Sequence, residues 1–194
     1  MVAIEERLKD APRRLIVLAA CGFARTVEHL LADQRSRDAI EVAERFADGR
    51  ATAEEVRAAE REAKQAARAA ERGARAEERA AANTAWDAAL AAQAEWAVEA
   101  TEWAAEAAEW GEDVFGNTQH HLLLDCILPP RIQAHFPAHV KGLATTIYDN
   151  REWSLLPILA DALEEIGQAE MAAHCRCPIH AKGCHVLDSI LGLG

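Results

Sequence analysis

The chain has 194 residues, 51% of them hydrophobic, and a formal net charge of -11. That length fits one domain, or one domain with a long projection, and the negative charge argues against a general phosphate-binding surface, so no nucleic-acid partner is expected. No run of about 18 apolar residues exists to cross a membrane, and five cysteines in a chain read as cytoplasmic suggest reduced thiols or metal ligands rather than disulfides.

Residues 3–10 fit a short helix. Pro12 suits a first helical turn, with Asp10 before it as a cap. Leu18-Ala19-Ala20-Cys21 has the form of a lipoprotein cleavage box. The apolar run before Cys21 falls short of the ~7–15 residues of a signal-peptide core, and Glu5, Glu6 and Asp10 spoil the basic leader. The helical pattern also continues through Cys21, so the box is set aside. From Arg13 to about Asp33, Ile16, Ala19, Ala20, Phe23, Val27, Leu30 and Leu31 recur at three- and four-residue steps, one face of an amphipathic helix. Ser36 is placed to cap a second helix, with Ala39, Ile40, Val42, Ala43 and Phe46 on its buried side and Gly49 at its end.

The stretch from Thr52 to Gly111 is the longest helical element. It is rich in alanine and contains no proline. Thr52-Ala-Glu-Glu55 matches a capping box, in which the threonine hydroxyl and the glutamate carboxylate satisfy free backbone N–H groups. Arg57, Arg61, Lys64, Arg68, Arg72, Arg75 and Arg79 then form a basic stripe. Glu95, Glu99, Glu102, Glu106, Glu109 and Asp113 form an acidic one, and Thr84 with Asp87 resembles a weaker capping box. The pattern predicts a helical hairpin turning near residues 82–84, its arms opposing the two stripes. The alternative is one helix of about 60 residues, roughly 90 Å long. Trp96, Trp103 and Trp110 recur every seven residues and call for burial, against the helices of residues 13–47 or against a partner. Trp86 is out of phase with them.

Beyond Gly111 the glycines and prolines mark a loop-rich region. His120-His121-Leu-Leu-Leu-Asp125-Cys126 fits a short strand or helical turn. Helices are expected at 138–148, at 154–166 with Ser154 as cap and Pro157 in the first turn, at 168–174 and at about 184–192. The fold class is all-α: a helical bundle with a long Ala-rich hairpin, or single long helix, and a C-terminal helical block. The divisions are 1–50, 51–112 and 113–194, expected to form one folded unit.

One segment carries candidate chemistry: His174-Cys175-Arg-Cys177-Pro-Ile-His180-Ala-Lys-Gly-Cys184-His185. Thiolate and imidazole are the ligands zinc prefers, in tetrahedral sets of four. Cys175, Cys177, His180 and Cys184 make one set, though four ligands from one turn are geometrically tight, so His120, His121 or Cys126 are substitutes. A structural zinc would staple the C-terminal helix where the apolar core is thin. The competing readings are metal-free packing of small buried thiols and thiol redox use. His135 and His139 have a zinc-like spacing that Pro137 interrupts. Asp161, Glu164 and Glu165 read as solvated acids.

RSRDAIEVAERFADG, YDNREW followed by LLPILADALEEIG, and HCRCPIHAKGCHVLDSILG resemble segments of a paralogous family of planctomycete proteins with no established activity. The resemblance covers about residues 13–50 and 114–194. It implies a helical pair, an Ala-rich region of variable length and a C-terminal block, and neither an enzyme nor a cofactor. Positions matching His174, Cys175, His180, Gly183, Cys184 and Asp188 belong to the family's ending, while Cys177 and His185 depart from it. That shifts the metal set to His174, Cys175, His180 and Cys184, with Cys177 and His185 as substitutes.

No nucleophile elbow, P-loop, dinucleotide glycine motif or HExxH occurs. The leading expectation is therefore a non-enzymatic interaction or scaffold module. It would self-associate or bind a protein partner through Trp96, Trp103, Trp110, Arg57, Arg61, Arg68, Glu99 and Glu106. The alternative is a metal-binding protein, structural or hydrolytic, centred on the Cys/His segment. No cofactor other than zinc is suggested.

Overall fold

The computed structural model describes residues 4–93, 97–111 and 116–193, with side chains for all of these except 109–111 and 116–119. Among the described residues the fold is all α-helical, in two compact units, Met1–His121 and Leu122–Gly194. No described helix is long and apolar enough to cross a membrane.

The first unit holds α1 (Ile4–Leu8), α2 (Arg13–Thr26), α3 (Gln34–Ala47), α4 (Ala53–Ala70), α5 (Ala76–Gln93) and α6 (Ala97–Gly111). Its centre is α2. Every residue from Leu15 to Ala24 is buried, more than the single face expected, because α3, α5 and α6 all pack on it. A helix surrounded in this way must be apolar nearly all round. The helices around it bury small side chains: Ala85, Ala88 and Ala92 of α5, and Ala100, Ala104 and Ala108 of α6, are fully or almost fully buried. The polar ends are matched across helices. Arg25 reaches the Glu44 carboxylate with two bonds of 3.2 Å, and Arg14 reaches Asp48 at 3.0 Å.

Two caps differ from expectation. Pro12 occupies the position before α2 with no side-chain cap, so Asp10 does not serve. Asp33 caps α3 through the Arg35 N–H, one turn ahead of Ser36, which is buried inside the helix. The Thr52–Glu55 capping box is present: Glu55 N–H donates to Thr52 Oγ1 at 3.2 Å, and Thr52 N–H donates to Glu55 Oε2 at 2.7 Å.

The Ala-rich stretch is neither a hairpin turning at 82–84 nor a single long helix. The helix is interrupted at 71–75, around Gly73, between α4 and α5. Asn83 and Thr84 sit inside α5, where the Thr84 hydroxyl donates to the Ala80 carbonyl at 3.0 Å and so needs no helix end. Gly73 is the weakest helix former in this stretch, and the chain breaks there. The basic stripe consequently runs over α4 and into α5 while the described part of the acidic stripe lies on α6. Among the described residues Arg57, Arg61 and Arg68 form no ion pair with Glu99 or Glu106, and all five are exposed. Trp103 is 46% exposed, against the expectation of a buried seam, because the alanines beside it face the core. Trp96 and the side chain of Trp110 lie outside the described residues.

The second unit comprises the end of α7 (Gly116–Ile127), then α8 (Ala138–Asn150), α9 (Leu156–Glu165), α10 (Ala169–Cys175) and α11 (His185–Leu191). His120 and Cys126 are thus helical, and the loop expected after Gly111 already contains the start of α7 at Gly116. Ser154 lies in a 3-10 turn of Trp153–Leu155 rather than capping α9, and Pro157 sits in that helix's first turn. The core joins Phe136, Ile147, Tyr148, Leu159, Leu163, Met171, Leu187 and Ile190. Cys126, Cys175 and Cys184 are buried in the same cluster.

Candidate metal centre

Four side chains of the second unit converge. Cys126, His174, His180 and Cys184 each offer one ligand atom, and these atoms lie within 4.8 Å of one another, a cluster able to hold a metal ion. Cys126 comes from the last turn of α7. His174 is the penultimate residue of α10, which cannot extend past Pro178. His180 lies in the following loop. Cys184 immediately precedes α11 and makes no capping bond with its thiol, so the sulfur is left to face the imidazoles. Gly183, at φ +86°, supplies the left-handed turn that delivers it.

The geometry is tight around Cys184. Its Sγ lies 3.3 Å from His174 Nε2 and 3.9 Å from His180 Nδ1, and Cys126 Sγ is 3.9 Å from the same His180 nitrogen. His180 Nε2 sits 3.0 Å from the Cys177 carbonyl. Donating there places the ring proton on Nε2 and leaves the Nδ1 lone pair for a ligand, the arrangement in which a carbonyl orients a metal-binding imidazole. Both sulfurs are buried and both imidazoles half-buried.

The two thiols share their proton unequally. Burial works against the charged form of Cys184, but hydrogen bonds from Cys126 and His174, beside the neighbouring His180, outweigh it and hold that thiol well below its usual range. Cys126, donating to Cys184 and buried, is held well above its own. One thiolate is therefore already favoured where a cation would sit.

Arg131 braces the site. Its guanidinium donates to the carbonyls of Ile127 at 2.7 Å, Pro129 at 3.1 Å and Gly183 at 2.9 Å, and to the buried Asp188 carboxylate. It therefore ties the end of α7 that carries Cys126 to the turn that carries Cys184. His185 adds a bond between its Nδ1 and the Cys126 carbonyl at 2.9 Å, and its ring packs edge-on against His174 at 4.3 Å.

Of the expected ligands, His174, His180 and Cys184 come together and Cys175 does not. Cys175 faces the apolar core on the buried side of α10, and burial pushes its thiol up to about 12. Cys126, named among the substitutes, takes the fourth place. Cys177 is exposed, its Sγ 3.9 Å from the Ala173 carbonyl. His185 stands behind the ligands rather than among them. His120 is buried in the first unit against Phe23, with ring centroids 4.6 Å apart, and burial lowers its imidazole to about 4. His121 meets the Arg7 guanidinium at 3.3 Å. His135 and His139 are exposed and outside the cluster. Asp161 and Glu164 are exposed, each 2.7 Å from Arg176. No family model, curated protein or solved structure matches the chain.

Proposed function

We propose that this chain is a metal-binding protein whose second unit is held together by a structural zinc ion on Cys126, His174, His180 and Cys184. The observation that carries it is the convergence of two thiols and two imidazoles within 4.8 Å. With Zn–S about 2.3 Å and Zn–N about 2.05 Å, the S–N edge of a tetrahedron is about 3.6 Å. The S–N separations of 3.3, 3.9 and 3.9 Å bracket that value. A mixed sulfur and nitrogen set favours zinc over magnesium or calcium, which take oxygen ligands. Four protein ligands fill a tetrahedral shell and leave no position for a reacting water, which favours a structural over a hydrolytic role.

Elemental analysis of protein purified without chelator tests this, with about one zinc per chain expected. Cys184→Ser and Cys126→Ser should lose the metal, and Cys175→Ser should retain it. Less than about a tenth of an equivalent in the unaltered protein, or loss of metal on Cys175→Ser alone, would overturn this ligand set.

A second reading, self-association through the Ala-rich helices, is favoured by the exposure of both charge stripes. Arg57, Arg61 and Arg68 on α4 and Glu99 and Glu106 on α6 are unpaired with one another inside the chain, so they are available between copies. Light scattering at about 0.05 M and 0.5 M salt tests it, with association weakening as salt rises. A monomer at both concentrations rules it out.

A further inference from the structure

We infer that a groove in the first unit, formed by the end of α4 with α5 and α6, binds a linear alkyl amine carrying two or more ammonium groups. The groove encloses about 520 Å³ and is lined by Glu71, Asn83, Trp86, Asp87, Trp103 and Glu106, among others. That volume lies within the range of small-molecule sites, about 300–1,000 Å³. Its described lining contains three carboxylates and no lysine or arginine.

Asp87 carries the argument. It is 9% exposed and lines the groove from α5. Among the described residues the other buried carboxylates each hold an arginine: Glu44 has Arg25, Asp48 has Arg14 and Asp188 has Arg131. Asp87 has no hydrogen-bond or ion-pair partner among the described residues. Burial alone pushes its carboxyl up to about 7. A largely buried carboxylate with no protein donor is costly until a proton or a cation joins it, and the open side from which a cation can arrive is the groove.

The indoles specify the kind of cation. Trp86 already carries the Lys64 ammonium over its ring at 4.7 Å, so an alkyl ammonium is a partner this indole accepts. Trp103 leaves nearly half of its surface in solvent at the same groove. Methylene segments can lie along these rings while ammonium ends reach carboxylates. The carboxylates come from α5, α6 and the turn after α4 and do not converge on one point, as ligands of a metal ion must; the converged cluster is in the second unit. Charges spread along a groove suit a ligand whose own charges are spread along a chain.

The experiment is a titration of the full-length protein with 1,5-diaminopentane and with spermidine at fixed ionic strength, followed by calorimetry and tryptophan fluorescence. One saturable site is expected, with Asp87→Asn and Trp103→Ala each binding about tenfold more weakly. Glu54→Gln removes one exposed charge from the same helix bundle and should leave the affinity unchanged. Absence of saturable binding overturns the inference. So does equal affinity in Asp87→Asn, which would mark diffuse attraction to the net charge of -11. Should Asp87→Asn not fold by circular dichroism, Trp103→Ala decides, since it truncates a ring that is 46% exposed, and unchanged affinity there overturns the inference.

Discussion

At the scale of the residue, two buried carboxyl groups are treated in opposite ways. Asp188 is fully buried and answered by Arg131, whereas Asp87 has burial as the sole cause of its shift from 3.8 to about 7. Its native form therefore holds a proton more tightly than the unfolded chain does. The stability linked to this group is fully present below about pH 4 and is lost as pH rises to about 7, a change on the order of 2–4 kcal/mol. Glu71 and Glu106 share its groove and supply no positive charge to reverse the sign. Asp87→Asn should consequently unfold at a higher temperature than the unaltered protein at pH 8, and the gap should close toward pH 4. Thermal unfolding by circular dichroism across that range measures it; a gap that widens as pH falls would contradict the assignment. The same scale explains what could be read of the metal site in advance. Thiol and imidazole ligand types are legible from one segment, so His174, His180 and Cys184 stand out together. Whether Cys175 or Cys126 completes the set depends on which side of α10 meets the core and where the end of α7 lands, and neither is a local property.

At the scale of the element, caps and breaks are decided by very local chemistry, and most of the helices are visible in the pattern for that reason. Thr52 and Glu55 satisfy each other's backbone N–H groups, so Thr52→Ala should cost about 1 kcal/mol in urea unfolding. Asn83→Ala should do the reverse. Inside α5 alanine is the better helix former by up to about 0.7 kcal/mol, whereas at a helix start the same change would cost about 1 kcal/mol. The sign of that measurement separates the two placements of the turn. The misplaced turn has a physical cause. Charge phase along an alanine-rich helix reports which residues share a face, but it does not report where the chain reverses. A single Gly73 does that, and a lone glycine in a helical pattern is also tolerated elsewhere. The exposed Trp103 has a similar origin: heptad spacing identifies a stripe, and small alanines one position away can win the buried face by permitting closer approach.

At the scale of the whole molecule, the first unit has a central apolar helix wrapped by others, and the second assembles short helices around a core that includes three cysteines. Under the proposed zinc reading, chelation should act on one and spare the other. Amide exchange should speed up over residues 122–191 when the metal is removed, while α2 and α3 keep their protection. Mass spectrometry of exchanged peptides, with and without chelator, reads both at once, and equal change in the two units would count against a local staple.

The position of Cys126 has a topological meaning of its own. Three ligands sit close together along the chain, and the fourth arrives from about 50 residues upstream, a span whose closure costs entropy that rises only slowly with its length. An ion shared by all four is therefore a covalent-like crosslink that can be made and unmade. It would restrict the unfolded ensemble as a disulfide does, with a strength set by free metal concentration instead of redox poise. In refolding, the local trio would be the first to capture the ion, and closure onto Cys126 would be the step that commits the second unit to its topology.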